Sequence, residues 1–339
     1  MENKENNMKI LVTGGLGFIG SHTVVELIND GHEVVIIDNL CNSKISVLDN
    51  IEKITGVKPK FYQINLLDID NVRKVFEENE IDGVIHFAGL KAVAESVHKP
   101  LEYYENNLFS TINLLKCMKE YDVYNIVFSS SACVYGLPKE NPIDESFPSN
   151  NSTNPYGRTK CFIEDILKDC YTADNKYNIT ILRYFNPVGA HESGLIGEDP
   201  NGIPNNLMPI IIRVAEGKFD LLHIYGNDYD TVDGTCVRDF IHVVDLAKGH
   251  VKAIEKVTTP GVHIYNLGTG KGTSVLELVN AFNRVNGNLV KFDFEGRRDG
   301  DVPENYAKTD KAKQELGWEA THSIDEMCQD AWKFSQTKK

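Results

Sequence analysis

The sequence predicts an α/β protein built on a doubly wound parallel sheet, with a smaller α/β domain after it. Three observations point there. Through the first half, short runs rich in Val, Ile and Phe alternate with amphipathic helical stretches. One of those runs, Val34-Val35-Ile36-Ile37, is continuously apolar, as a strand buried on both faces requires. After about Ala190 the alternation loosens and Gly and Pro punctuation thickens.

In chain order, Lys9–Val12, Glu33–Ile37, Lys60–Ile64, Gly83–Phe87, Asn125–Phe128 and Ile179–Tyr184 read as strands. Between them Ile19–Asn29, Val72–Asn79, Leu101–Tyr121 and Tyr156–Cys170 read as helices. Leu101, Tyr104, Leu108, Ile112, Leu115 and Met118 recur at steps of three or four, as do Phe162, Ile163, Ile166 and Cys170. Such stripes are expected first to cover the sheet, with a subunit contact as a secondary use. His191–Asn206, punctuated by Gly194, Gly197, Pro200, Gly202 and Pro204, reads as a loop. Helices near Leu207–Glu216, Val244–Ile254, Val275–Asn286 and Ser323–Phe334 follow, with short strands around Leu222–Tyr225 and His263–Asn266. The expected division is 8–190 and 191–339, with elements partly interwoven.

Composition narrows the function. The 339 residues carry 35 Lys plus Arg against 49 Asp plus Glu, a net charge of −14, which argues against a general nucleic-acid backbone binder. No apolar stretch approaches the ~20 residues a membrane span needs. Met1–Asn7 is polar and lacks the apolar core of a secretory signal, with Met8 as a second start, so a cytoplasmic protein is expected. The seven cysteines are odd in number, scattered and without a CxxC pair, which suggests reduced thiols and no metal site.

The first chemical signal is Thr13-Gly14-Gly15-Leu16-Gly17-Phe18-Ile19-Gly20, between a strand and a helix. Glycines there permit a tight turn and let backbone approach a pyrophosphate at the positive end of the helix, the Rossmann-type dinucleotide loop. Asp38 ends the second strand, where a carboxylate accepts hydrogen bonds from the adenosine ribose and repels a 2′-phosphate. NAD is therefore the expected cofactor.

The second signal is Tyr156-Gly157-Arg158-Thr159-Lys160, with Tyr and Lys on one helix face. An unperturbed tyrosine, with a pKa of ~10, is a poor base at neutral pH. A close ammonium and a nicotinium ring would both favour its phenolate. Ser129-Ser130-Ser131 end a preceding strand, and in a parallel sheet those ends face the ligand crevice. A Ser, a Tyr and a Lys beside a nicotinamide suit hydroxyl–carbonyl chemistry.

Together these elements resemble the extended short-chain dehydrogenase/reductase family. Longer strings are similar to its UDP-hexose 4-epimerases: Asp38-Asn39-Leu40-Cys41-Asn42-Ser43, His86-Phe87-Ala88-Gly89-Leu90-Lys91-Ala92-Val93, Pro100-Leu101-Glu102-Tyr103-Tyr104 and Arg183-Tyr184-Phe185-Asn186-Pro187-Val188-Gly189-Ala190. So are Gly202-Ile203-Pro204-Asn205-Asn206-Leu207-Met208-Pro209, Val237-Arg238-Asp239-Phe240-Ile241-His242-Val243 and Arg297-Arg298-Asp299-Gly300-Asp301. The resemblance implies a Rossmann-type NAD-binding domain over 8–190 and mainly a UDP-sugar domain over 191–339. It implies Ser131, Tyr156 and Lys160 as the catalytic set. Gly14, Gly17, Phe18, Ile19, Gly20, Asp38, Asn39, Asn42, Ser43, Asn65 and Leu66 would hold NAD, with Phe87, Ala88, Gly89, Lys91, Asn106, Ser129, Tyr156, Lys160 and Tyr184. Lys91, Ser131, Tyr156, Phe185, Asn186, Asn206, Leu207, Arg238, Arg298, Asp301 and Asn305 would hold the UDP-sugar, the arginines as partners of its pyrophosphate. The implied reaction interconverts UDP-galactose and UDP-glucose through a 4-keto sugar, without net redox, in a homodimer.

Three positions depart from the family pattern. Cys133 stands where Thr is usual beside the substrate, Asn65 replaces an Asp expected near the adenine, and Asn305 falls where a bulky residue excludes N-acetyl sugars. Asn305 is expected to admit some UDP-GlcNAc and UDP-GalNAc, unless Tyr306 takes over that wall. A nucleotide-sugar 4,6-dehydratase or decarboxylase of the same fold is the competing enzyme reading, but a dehydratase needs an Asp-Glu pair where Ala132-Cys133 follow Ser131. An NAD-binding regulatory protein with a dead site is the non-enzymatic alternative.

Overall fold

The computed structural model describes residues 7–202, 204–298 and 300–338. The leader residues 1–6, Ile203 and Asp299 of two quoted strings, and the final Lys339 lie outside the described residues. Alternation builds the first half: β1 (Lys9–Thr13), α1 (Phe18–Asn29), β2 (Glu33–Ile37), α2 (Ser46–Thr55), β3 (Lys60–Tyr62), α3 (Ile69–Glu77), β4 (Gly83–His86), α4 (Val93–His98), α5 (Pro100–Glu120), β5 (Asn125–Ser131), α6 (Pro155–Ala173) and β6 (Asn178–Tyr184). The second half adds β7 (Asn186–Val188), α7 (Leu207–Ala215), β8 (Leu222–Tyr225), β9 (Val237–Arg238), β10 (Phe240–His242) and α8 (Val243–Lys256). Then come β11 (Gly261–Leu267), β12 (Thr273–Ser274), α9 (Val275–Asn286), β13 (Phe292–Glu295), β14 (Glu304–Asn305) and α10 (Ile324–Thr337).

Seven strands form one parallel sheet in the order β11-β6-β5-β4-β1-β2-β3. Successive side chains on a strand face opposite ways, and the sequence uses both faces. Ile10 and Val12, Val34 and Ile36, Ile85 and Val127 join one buried cluster. Leu11, Val35, Val84, Ile126 and Phe128 join the other, with Ile163 and Leu167 of α6. Strand order reverses between β1 and β4, so the connections there part and leave a crevice at the carboxyl ends of the strands.

Several elements differ from the sequence reading, among them the short strands β7, β9, β10, β12, β13 and β14, which it did not anticipate. The strand read around His263–Asn266 is β11, which pairs with β6 and completes the main sheet rather than the smaller domain. Its crossover α8 packs against α1. α4, six residues long, is too short to show a repeating stripe, whereas α2 carries one in Val47, Leu48, Ile51 and Ile54 that the sequence reading passed over. The rest of the second half has its own core of Met208, Ile211, Leu222, Ile224, Leu278, Phe282 and Met327.

Both striped helices bury part of their stripe. Leu115 and Met118 are in the core, whereas Leu101 is 80% and Phe162 47% exposed. Tyr104 and Phe162 meet at ring centroids 6.0 Å apart, so α5 and α6 share this outward apolar edge.

Candidate functional site

A cleft of about 790 Å³ opens at the crevice. Its floor is the turn between β1 and α1, where the glycines are required by space. A Cβ on Gly20 would lie 2.2 Å from the Gly14 carbonyl oxygen, and one on Gly14, at φ +70°, would lie 2.9 Å from the Ala88 nitrogen. Gly17 caps α1 without a side-chain hydrogen bond, and no acidic residue stands in the first turn. The amides of that turn are thus left for an external anion.

Asp38, at the end of β2, is buried and organises the rim. Its Oδ2 accepts from the Leu16 amide at 3.1 Å, and its Oδ1 accepts from the Leu40 amide at 2.9 Å and the Ser43 hydroxyl at 2.7 Å. One carboxylate therefore ties the glycine turn to the 39–43 loop. Asn65 Oδ1 accepts from the Leu67 amide at 3.0 Å, so the amide oxygen is engaged by its own turn.

The catalytic candidates converge from β5 and α6. Asn154 caps α6, its side chain accepting from the Gly157 amide at 2.9 Å, with Pro155 at the first helical position. This start sets Tyr156 and Lys160 one turn apart on one face. Lys160 Nζ donates to the Ser129 carbonyl at 2.7 Å and lies 4.8 Å from the Phe128 ring centre and 5.9 Å from that of Tyr156. Ser131 Oγ accepts from the Cys133 amide at 3.2 Å. The Ser129 hydroxyl is hydrogen-bonded to Tyr184.

Burial dominates the electrostatics here. It pushes Tyr156 well above its ordinary value, only partly opposed by the Ser131 hydroxyl. It pulls Lys160 down to about 8 and lifts the Cys133 thiol. Tyr184 rises to about 12 for the same reason. With protein groups alone Tyr156 is a neutral phenol at pH 7, and a cation in the cleft is needed to make it a base.

Gly14, Gly17, Phe18, Ile19, Gly20, Asp38, Asn39, Asn42, Ser43, Asn65, Leu66, Phe87, Ala88, Gly89, Lys91 and Asn106 all line this one cleft. So do Ser129, Ser131, Tyr156, Lys160, Tyr184, Phe185, Asn186, Asn206 and Leu207. Arg238, Arg298, Asp301 and Asn305 do not; they form a second group beyond it. Arg238 reaches Asp301 at 3.4 Å, Arg298 reaches it at 3.0 Å, and Asn305 pairs in register with Arg238. Asn186 links the groups, its backbone and side-chain amides donating to the Asp239 carbonyl at 3.0 and 3.2 Å.

Sequence reasoning missed the segment 194–200, which it read as a loop without a task. It borders the cleft as a strap. Asp199 pairs with Lys44 at 2.5 Å and with Lys338, and Asn201 donates to the Cys41 carbonyl at 3.2 Å. Glu198 lies 3.5 Å from Lys91 and accepts from Asn206 at 2.8 Å. The signal was the adjacent pair Glu198-Asp199 inside a Gly- and Pro-rich stretch.

A family profile described as GDP-mannose 4,6 dehydratase matches residues 11–331. A UDP-glucose 4-epimerase of Bacillus subtilis is 58% identical over 331 residues, covering 97% of each chain. The crystal structure of UDP-glucose 4-epimerase from Bifidobacterium longum, in complex with NAD+ and UDP, superposes with a TM-score of 0.93 at 54% identity, covering 97% of this chain and 98% of that one. One from Stenotrophomonas maltophila, with bound NAD and formylated UDP-arabinopyranose, gives a TM-score of 0.96 at 46% identity, covering 98% and 99%. The acid pair that a dehydratase requires is missing beside Ser131, where Ala132 and Cys133 stand. Fold, crevice and full-length identity agree: the chain belongs to the UDP-glucose 4-epimerase family of extended short-chain dehydrogenases/reductases.

Proposed function

We propose that this chain is an isomerase that interconverts UDP-galactose and UDP-glucose with retained NAD. The carrying observation is the convergence of Ser131, Tyr156 and Lys160 on the cleft whose floor is the glycine turn. The turn fits a dinucleotide: it excludes a Cβ at Gly14 and at Gly20, its helix amides lack side-chain caps, and Asp38 stands at the rim. Bound NAD would supply reversible hydride chemistry at the C4 position of the sugar.

The chain's residues supply the rest. Tyr156 takes the proton of the sugar 4-hydroxyl and gives it back, once a cation beside it offsets its burial. Ser131, whose oxygen already accepts from Cys133, has its proton left to donate toward the reacting oxygen. Lys160, anchored on the Ser129 carbonyl, holds positive charge near the Tyr156 ring. Epimerisation also requires a sugar that turns over while its nucleotide stays fixed. Arg238 and Arg298, gathered on Asp301, are the cations suited to the pyrophosphate end.

Asn305, a short residue beside Arg238, admits an N-acetyl substituent in this reading. The exposed apolar edge of α5 and α6, with Leu101, Phe109 and Phe162, supports a homodimer. No described helix is long and apolar enough to cross a membrane.

The test is turnover of UDP-galactose by the purified chain without added NAD, with products separated chromatographically. UDP-glucose is the expected product. Silence both without and with added NAD would refute the reading.

A further inference from the structure

Behind the candidate catalytic set lies a charged pair that its chemistry does not use. Glu164 and Arg183 are 1% and 2% exposed, the most buried ion pair among the described residues. Arg183 Nε and Nη2 donate to Glu164 Oε1 at 3.0 Å and Oε2 at 2.6 Å, a two-pronged contact. Ser130 donates to Oε1 at 2.6 Å, and Arg183 Nη1 donates to the Tyr135 hydroxyl at 3.1 Å. Tyr135 in turn donates to Asn266 at 2.7 Å.

Register explains why the pair sits there. Ser130, Arg183 and Asn266 are partners across β5, β6 and β11, a single row across the sheet. The same face of β5 and β6 is apolar in earlier rows, through Ile126, Phe128, Ile179 and Ile181, which pack under α6. At the last row, apolar side chains would serve stability as well, because desolvating two charges costs about what their attraction returns. The row instead carries ions, and it is the row next to Ser131. Glu164 stands one turn beyond Lys160 and two beyond Tyr156 on α6.

We infer that the Glu164–Arg183 pair is a positioning device for the reaction: it clamps α6 to the ends of β5 and β6 and fixes the charge that Lys160 and Tyr156 work against. The inference rests on the catalytic roles given above to those two residues. Glu164 is the carboxylate whose field reaches the Lys160 ammonium. The other titratable or charged groups packed about Lys160 are Tyr156 on its own helix, Cys133 after β5, and His86 of β4. Tyr184 of β6 and Tyr103 of α5 face Tyr156. Around the pair itself stand Lys168, 3.9 Å from Glu164 and partly exposed, and Glu145, which acts on Tyr135. His86 is held neutral by burial, which leaves Glu164, with Arg183 bonded to it, as the ionised group acting on Lys160.

Opposite halves of the pair therefore have opposite effects on proton affinity. Glu164→Gln keeps the shape and removes the negative charge, so Arg183 is uncompensated. The Lys160 ammonium becomes less favoured and the Tyr156 phenolate more so, and both limbs of the kcat–pH profile move down by about one unit. Arg183→Met leaves the carboxylate alone and moves both limbs up. Glu164→Gln/Arg183→Met restores the positions of the limbs at a reduced rate, and Arg183→Lys leaves them in place.

The experiment measures kcat against pH for holoenzyme and variants, together with phenolate absorbance as the difference from Tyr156→Phe. Opposite displacement of the limbs, tracked by the absorbance, supports the inference. Lower rates with limbs and absorbance unmoved overturn it and leave the pair a packing feature. Absorbance that shifts while the kcat limbs stay fixed overturns instead the assignment of Tyr156 as the base. Each single variant decides alone, so loss of one to misfolding leaves the other.

Discussion

Lys160 donates its Nζ hydrogen bond to the main-chain carbonyl of Ser129, at 2.7 Å, instead of to a carboxylate. The ammonium is thus anchored without being neutralised, two residues before Ser131 on the same strand. A carboxylate partner would cancel the positive charge that favours a nearby phenolate. A carbonyl dipole holds the group and leaves its charge to act.

Removing that charge should separate stability from function. Burial lowers the Lys160 pKa from 10.5 to about 8, so the folded chain binds this proton more weakly than the unfolded chain. The charge opposes folding in full below about pH 8, and the penalty fades as pH rises toward 10.5. Lys160→Met should stabilise the ligand-free chain at pH 7 by ~2 kcal/mol, after allowing for the lost bond to Ser129. Thermal melts at pH 7 and pH 10 check this: the gain should shrink at the higher pH while activity is lost at both.

Tyr156→Phe removes the proposed base and should lower turnover by roughly 10²–10⁴-fold. Ser131→Ala should lower it by ~10²-fold, the loss of one donor to the reacting oxygen. Both variants should retain NAD through gel filtration. A variant that turns over normally would remove that residue from the catalytic set.

Cys133 lies against α6 so closely that a Cβ on Gly157 would sit 3.1 Å from the Cys133 Cβ. Its thiol is also among the groups that push the Tyr156 phenol up. Cys133→Thr exchanges a weak donor for a hydroxyl, and one added hydrogen bond of ~1 kcal/mol would raise kcat about fivefold. Unchanged turnover would show that Cys133 takes no part.

The strap predicts how tightly the cofactor is kept. Asp199 joins Lys44, beside the 39–43 loop, to Lys338 at the end of α10, and these cations hold its carboxyl below the usual range. Asp199→Ala should speed NAD loss by about threefold, equivalent to ~0.7 kcal/mol, because the Lys44 and Lys338 side chains are 55% and 37% exposed and their pairing is screened. NAD remaining after repeated desalting is the readout. Retention equal to the parent chain would detach the strap from cofactor binding.

Asn305 has a buried Oδ1 with no partner among the described residues. Enlarging it to Tyr adds bulk at this position and removes that orphan. Asn305→Tyr should lower UDP-GlcNAc turnover by more than about tenfold and leave UDP-galactose turnover within about threefold. Equal effects on both substrates would show that position 305 does not wall the N-acetyl pocket.

What the sequence determined by itself is local. Continuous apolar runs define β1, β2, β4 and β5, each buried on both faces, and helical spacing of apolar residues marks α1 and α6. The glycine turn and the one-turn spacing of Tyr156 and Lys160 were legible for the same reason: they are geometry within a few residues. Tertiary structure decided what depends on distant partners. β11 joined the main sheet since its backbone finds β6 there, a pairing invisible in its own residues. Glu198, Asp199 and Arg183 look in sequence like any surface charges, and only folding turned two into a strap and one into a buried clamp. The proton affinity of Tyr156 belongs to this second class as well, because desolvation by the packed site, and not residue type or spacing, sets it.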